Sequence, residues 1–215
     1  MKIFRNTVTA IALMLFIISA AVTITLNFRP LFYFDIDYLD IEAQSGFSKE
    51  DIRKNYDALI DYNSMLNHDT LEFPTLPMSE GGRIHFEEVK QIFVAIEYIF
   101  IASGIIGLAF LLLLICKFKE FLFLKLASIL TIAIPAVLAI LISINWEAAF
   151  VTFHHIFFNN DYWLFYPDKD PVILMLPDEF FFHCAAMILI LVILGSLISF
   201  MIYRILRKKN LKRTA

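Results

Sequence analysis

Four long apolar blocks dominate this chain, and they leave few folds open to it. A helix of about twenty apolar residues rises about 30 Å, the thickness of a bilayer's hydrocarbon core. The blocks run over residues 7–26, 91–116, 121–144 and 180–205, so the pattern predicts four membrane-spanning helices. Of the 215 residues 60% are hydrophobic, against about 45–50% in soluble domains. The first block, behind Lys2 and Arg5, carries a faint cleavage-like Ala20-Ala21-Val22. It is longer than the apolar region of a secretory signal and reads as an uncleaved anchor. The expected fold class is an all-α integral membrane protein, a single membrane domain over 1–215. Four transmembrane helices would carry a small extracytoplasmic cap, made by the outer segments 27–90 and 145–179.

Orientation follows from the cations. With the amino terminus inside, the cytoplasmic segments hold Lys2, Arg5, Lys117, Lys119, Lys125, Arg204, Arg207, Lys208, Lys209, Lys212 and Arg213, eleven of the 18 Lys and Arg residues. Only Glu120 of the 21 acidic residues joins them. This asymmetry, hidden in a net charge of −3, places both termini in the cytoplasm by the positive-inside rule. The basic tail abuts a span and suits anionic lipid headgroups, so membrane lipids are expected partners and nucleic acid is not. Cys116 and Cys184 fall at opposite ends of their spans, too far apart for a disulfide.

The larger outer segment opens with Phe32, Phe34, Ile36 and Tyr38 alternating with Tyr33, Asp35 and Asp37, which predicts an extended stretch. Ser48 and Asp51 then suggest a capped helix with Ile52, Tyr56, Leu59, Ile60 and Met65 along one side. Pro74, Pro77, Gly81 and Gly82 mark a turn-rich connection. Beyond it a helix over Arg83–Lys90 should run straight into the second span, setting His85 and Glu88 one turn apart. The smaller segment is rich in aromatic residues, with Phe150, Phe153, Phe157 and His154 expected on one helical face at the membrane interface.

All five histidines (His68, His85, His154, His155 and His183) fall in outer segments or at the outer boundary. Histidine is the side chain best suited to move protons near neutral pH. A His-Glu-x-x-His zinc helix, a Gly-x-Ser-x-Gly elbow and a Walker loop are all missing from the sequence. Ser79 carries no mark of an activated nucleophile. A metal site from His85, His154, His155 and Asp161 is conceivable, but adjacent histidines rarely point the same way. Neither metal nor cofactor is expected. Glu97 lies inside the second span, where an ionisable group must face protein or water and is a functional candidate.

Three stretches carry a family resemblance: Gly82-Arg83-Ile84-His85-Phe86-Glu87-Glu88-Val89, Phe153 to Trp163, and Tyr166 to Pro177. They resemble four-span bacterial membrane proteins of the lipoprotein intramolecular transacylase family, and the span layout agrees over nearly the whole chain. The resemblance implies a membrane acyltransferase that moves the sn-2 acyl chain of a diacylglyceryl lipoprotein to the α-amine of its own N-terminal cysteine. The product would be an N-acyl lyso-form lipoprotein. The expected partner is then a diacylglyceryl-modified lipoprotein N-terminus, met at the outer face of a bacterial cell membrane. His85 and His154 are the matched histidines and the expected catalytic pair. Glu88 stands where many members carry Asp. Glu88, Asp161, Trp163, Asp170 and Glu97 are the expected supporting or substrate-positioning residues, with Glu88 orienting His85. A non-enzymatic lipid-binding or assembly factor is the alternative, followed by a small transporter using Glu97. The alternative requires the two histidines to lie far apart or sealed from solvent.

Overall fold

The chain, seen in a computed structural model, is described over residues 1–214, with side chains except those at 134, 138, 141, 142 and 212–214. The side chains of Lys212 and Arg213, counted in the basic tail, thus lie outside the described residues. The described residues form eight α-helices and no strand: α1 (Lys2–Asn27), α2 (Arg29–Tyr38), α3 (Ile41–Ser45), α4 (Lys49–Tyr62), α5 (Glu80–Leu112), α6 (Leu122–Ile144), α7 (Trp146–Phe157) and α8 (Asp178–Thr214). A π-helical stretch, Leu113–Phe118, continues α5, and a 3-10 turn, Pro171–Met175, precedes α8. Among the described residues three helical stretches are long and apolar enough to cross a membrane: Lys2–Asn27, Glu80–Phe118 and Asp178–Leu211. The remaining apolar block forms α6, which continues through Pro135. Contacts divide the chain into two compact units, 1–23 with 96–143 and 187–215, and 24–95 with 144–186.

The first unit is held by close helix approaches. A Cβ on Gly195 of α8 would collide with Ile17 of α1, and one on Gly104 of α5 would crowd Phe16. Small residues let helices approach in this way where lipid supplies no hydrophobic drive between them. Ser196 and Ser199 of α8 donate to the carbonyls of Ser128 and Leu124 on α6, at 2.8 and 3.0 Å. Beyond the π-helical stretch Lys119 takes a left-handed conformation (φ 53°) and turns the chain. That turn delivers Glu120 to Arg5 and Asn6 of α1.

The second unit has its own core. Phe32, Ile36, Ile41, Ile52, Val172 and Met175 are fully buried in it. Phe32 stacks on Tyr56 with ring centroids 3.8 Å apart and meets Phe180 edge-on at 4.9 Å. The extended stretch predicted for 32–38 is instead α2. Pro30 pre-sets the first helical turn, and Phe32 and Ile36, four apart, face the core while Phe34 and Tyr38 stay exposed. An apolar residue at every second position satisfied both periods, and burial selected the helical one. In α4 Ser48 caps the helix, its hydroxyl accepting from the Asp51 amide at 3.1 Å. The helix ends at Tyr62, so Met65 is past its apolar face. Gly81 and Gly82, predicted in a turn, form the first turn of α5.

Candidate active site

His85 and His154 reach one another from two helices of the second unit. His85 lies on the opening turns of α5, ahead of the apolar block. A helical stretch of 39 residues is about 58 Å long, nearly twice a hydrocarbon core, which leaves length for those turns beyond it. His154 sits in the last turn of α7. The ring centroids are 6.0 Å apart at 31°. Both residues are buried, with 6% of His85 and 8% of His154 left exposed.

The surround is aromatic. His85 packs edge-on to Phe158 at 4.8 Å and Phe165 at 5.4 Å. His154 lies against Phe150 at 4.3 Å and stacks on Trp163 at 4.6 Å. In α7 Phe150 and His154 share the inward face, whereas Phe153 and Phe157 are about half exposed. The single face expected for all four is therefore split, because 150 and 154 are four apart and 153 sits 100° round the helix.

Hydrogen bonding separates the two imidazoles. Nδ1 of His154 is 2.8 Å from the Phe150 carbonyl. A carbonyl only accepts, so Nδ1 carries the proton and Nε2 of neutral His154 presents a lone pair. Burial holds the His154 imidazolium below its usual pKa, opposed by the Phe150 hydrogen bond and by Asp178. His85 is pushed down to about 4 by burial and then by proximity to His154. Its Nδ1 is buried without a hydrogen-bond partner. Both rings are therefore neutral at pH 7.

The other expected residues divide. Trp163 is in contact with the pair, and its indole N–H is also buried without a partner. Glu88 accepts from the Asn160 amide at 2.9 Å through one oxygen, while the other oxygen has no partner. No hydrogen bond from Glu88 to His85 is found among the described residues. Asp170 is buried and receives Ser79, whose amide donates to Oδ1 and whose hydroxyl donates to Oδ2, both at 2.7 Å. Asp161 is exposed, its carbonyl accepting from the Leu164 amide. Glu97 belongs to the other unit. His155 is exposed, with its ring edge-on to Trp163 at 5.5 Å. Among the described residues no group of three or more His, Cys, Asp or Glu is placed to hold a metal ion.

Sequence reasoning missed Ser79, Asn160, Phe158 and Phe165, whose roles arise from pairings across long stretches of chain. It also missed Asp35, which is fully buried and accepts from Nδ1 of His183 through both oxygens at 2.9 Å. His183 lines a cavity of about 430 Å³ with Tyr38, Leu39, Trp146, Asp178, Glu179 and Phe182. Neither histidine of the pair lines it, although Asp178 is close enough to act on His154 electrostatically.

Fold and site together define a class: a helical membrane protein with two neutral imidazoles side by side in an aromatic pocket, equipped for proton transfer. Residues 7–181 match the sequence family described as lipoprotein intramolecular transacylase Lit. The fold matches the in meso structure of the membrane integral lipoprotein intramolecular transacylase Lit from Bacillus cereus, with TM-score 0.94 and 42% identity over 99% of this chain and 97% of that one. It also matches that protein with an H85R mutation, TM-score 0.89 and 41% identity over 98% and 93% of the chains. A third match is its H85A mutant, TM-score 0.89 and 42% identity over 99% and 95%. No curated protein sequence matches. The chain belongs to the lipoprotein intramolecular transacylase family and is a membrane-integral acyltransferase.

Proposed function

We propose that this enzyme moves the sn-2 acyl chain of a diacylglyceryl lipoprotein onto the α-amine of the same N-terminal cysteine, with His154 as base and His85 as neutral hydrogen-bond donor. One observation carries the assignment: the two rings lie side by side, and only His154 has its tautomer fixed by a protein partner. Nε2 of His154 takes a proton from the cysteine ammonium. The freed amine attacks the sn-2 ester carbonyl, forming the C–N bond. The ester C–O bond then breaks, and the departing sn-2 oxygen receives a proton. Overall an ammonium and an ester become an amide, an alcohol and one proton released to solvent.

His85 stays neutral because it is buried, so its N–H can polarise the oxygen on which negative charge develops, as neutral imidazoles do in other enzymes. No protein nucleophile is required, since the acceptor amine belongs to the substrate. Holding two groups of one molecule in register can supply roughly 7–11 kcal/mol of the barrier lowering. The exposed edges of Phe153, Phe157 and Tyr166 offer apolar surface for acyl chains.

The membrane arrangement belongs to the same proposal. Four spans, with α6 as the third, are supported by the serine bonds that tie α6 to the spanning helix α8. The cation distribution supports cytoplasmic termini and a site on the outer face. Segments 27–90 and 145–179 fall entirely in one compact unit, which supports a cap built from both.

The test is fragmentation mass spectrometry of a lipoprotein's N-terminal peptide from a host that makes only diacylglyceryl lipoproteins. Intact mass is uninformative, because the transfer leaves it unchanged. Fragments placing an acyl chain on the cysteine nitrogen only when this protein is present, and not with His154→Ala, are the expected result. Acyl chains that remain on glycerol despite verified expression overturn the reading.

A further inference from the structure

We propose that Asp170 is a positioning residue for His85, acting through a clamp on the start of α5; the assignment rests on the transacylase reading. Ser79 is the cap of that helix. Its hydroxyl accepts from the Gly82 amide at 3.0 Å and donates to Oδ2 of Asp170, while its amide donates to Oδ1. Its carbonyl accepts from the Arg83 amide at 2.9 Å. Every polar group of Ser79 is thus engaged, and both carboxylate oxygens hold it across 91 residues of sequence.

Gly82 shows how closely the carboxylate sits. A Cβ at that position would collide with Oδ1 of Asp170. Any other residue there would push the carboxylate off its seat, which explains a glycine in the first turn of a helix, where it costs about 1 kcal/mol.

The other side of the clamp is equally fixed. The Asp170 amide donates to the Tyr166 carbonyl at 2.8 Å, and its carbonyl accepts from Ile173 at 3.2 Å. Val172 and Met175, just beyond, are fully buried in the core. Phe165, just before, packs on His85 and Phe86, each at 5.4 Å. Trp163 stacks on His154. The segment that walls both imidazoles therefore also grips the helix bearing one of them. Six residues separate Ser79 from His85, about 9 Å along a stiff helix, so slack at the cap becomes displacement of the ring. A buried carboxylate is costly unless fully hydrogen-bonded, and this one spends its oxygens on the register of α5.

Asp170→Ala, Gly82→Ala, Ser79→Ala and Ser79→Thr test the clamp, with kcat and KM for acyl transfer measured separately. Asp170→Ala and Gly82→Ala are expected to lower kcat about a hundredfold, with KM within about threefold, as small misplacements do. Ser79→Ala should fall between, and Ser79→Thr, which keeps the hydroxyl, should recover most of kcat. In parallel, the modification rate of His85 by diethyl pyrocarbonate is mapped by mass spectrometry, with exposed His155 as internal control. Loss of the clamp should speed His85 modification about fivefold through local opening and leave His155 unchanged. If Asp170→Ala does not fold, Gly82→Ala and Ser79→Ala decide the matter. Unchanged kcat and unchanged His85 modification in folded variants overturn the proposal. So does a loss confined to KM, which would make Asp170 a substrate contact. An inactive wild type would sink the transacylase reading, while the modification rates would still judge the clamp.

Discussion

Two buried polar clusters in this molecule are built from residues far apart in sequence, and they differ in how well their atoms are satisfied. In the first, Glu120 accepts from Arg5 and from Asn6, and Asn6 accepts from the Phe123 amide at 3.0 Å. Its hydrogen bonds close on one another. In the second, around His85 and His154, Nδ1 of His85, Oε2 of Glu88 and Nε1 of Trp163 are buried with no partner. Buried polar groups are normally paired, and each unpaired one costs about 1–3 kcal/mol. A closed network serves the fold. An open one, concentrated where two imidazoles meet, is what the proposed transfer needs: donors and acceptors left for a substrate's atoms.

The contrast breaks if the open cluster proves structural. His154→Ala should therefore reduce acyl transfer by about 10²–10⁴-fold, the usual worth of a general base, with the thermal midpoint in detergent hardly lowered. Transfer that survives while the midpoint collapses would place His154 in the fold instead of the chemistry.

Titration sharpens the same point. His85 has its pKa pushed down to about 4 in the folded protein, against an unfolded value near 6.5. Between those values the unfolded chain binds more protons, so stability rises with pH. It is fully present above pH 6.5 and is lost as pH falls through that window, by about 3 kcal/mol for His85 alone. His85→Ala should flatten the fall in thermal midpoint between pH 6.5 and 4. The transfer rate should likewise drop on acidification, because His154 must be unprotonated, and should be level through neutral pH. A wild-type midpoint that is flat over this range would contradict the burial argument.

The closed cluster gives the opposite signature. Asn6→Ala removes the acceptor of the Phe123 amide and one donor to Glu120. Leaving a buried amide unpaired costs about 2 kcal/mol, a fall of about 4–8 °C in thermal midpoint for a chain of this size. Turnover per folded molecule should be unaffected. A specific loss of kcat without destabilisation would mean the two clusters are coupled.

What could be seen in the sequence follows the same division. Three of the apolar blocks were legible as stretches able to cross a membrane, because span length is fixed by the bilayer and tolerates no ambiguity of period. The Ser48 cap was legible because capping is local. The helix α2 was not, since alternating apolar residues suit either period until burial chooses between them. His85 and His154 were singled out by residue type and family resemblance, and their rings do come together, but their different hydrogen bonding depends on Phe150 and on burial. Asp170 was flagged only as supporting. Its grip on Ser79, like that of Asp35 on His183, joins segments that no local pattern connects.

The smallest predicted effect concerns Glu88, one turn from His85 on the same helix. Sequence spacing made it the residue that orients His85. The structure instead directs Oε1 to Asn160, in the loop between Phe158 and Trp163, and so gives Glu88 a hold on that loop. Glu88→Gln keeps the Oε1 acceptor and removes the charge, so the rate should fall no more than about tenfold, in line with one neutral hydrogen bond. Asn160→Ala should match it, and the double variant should lose little more, because the two side chains share one bond. A Glu88→Gln loss as large as that of His154→Ala would return Glu88 to the proton-transfer machinery and make its unpaired oxygen a contact for the cysteine ammonium.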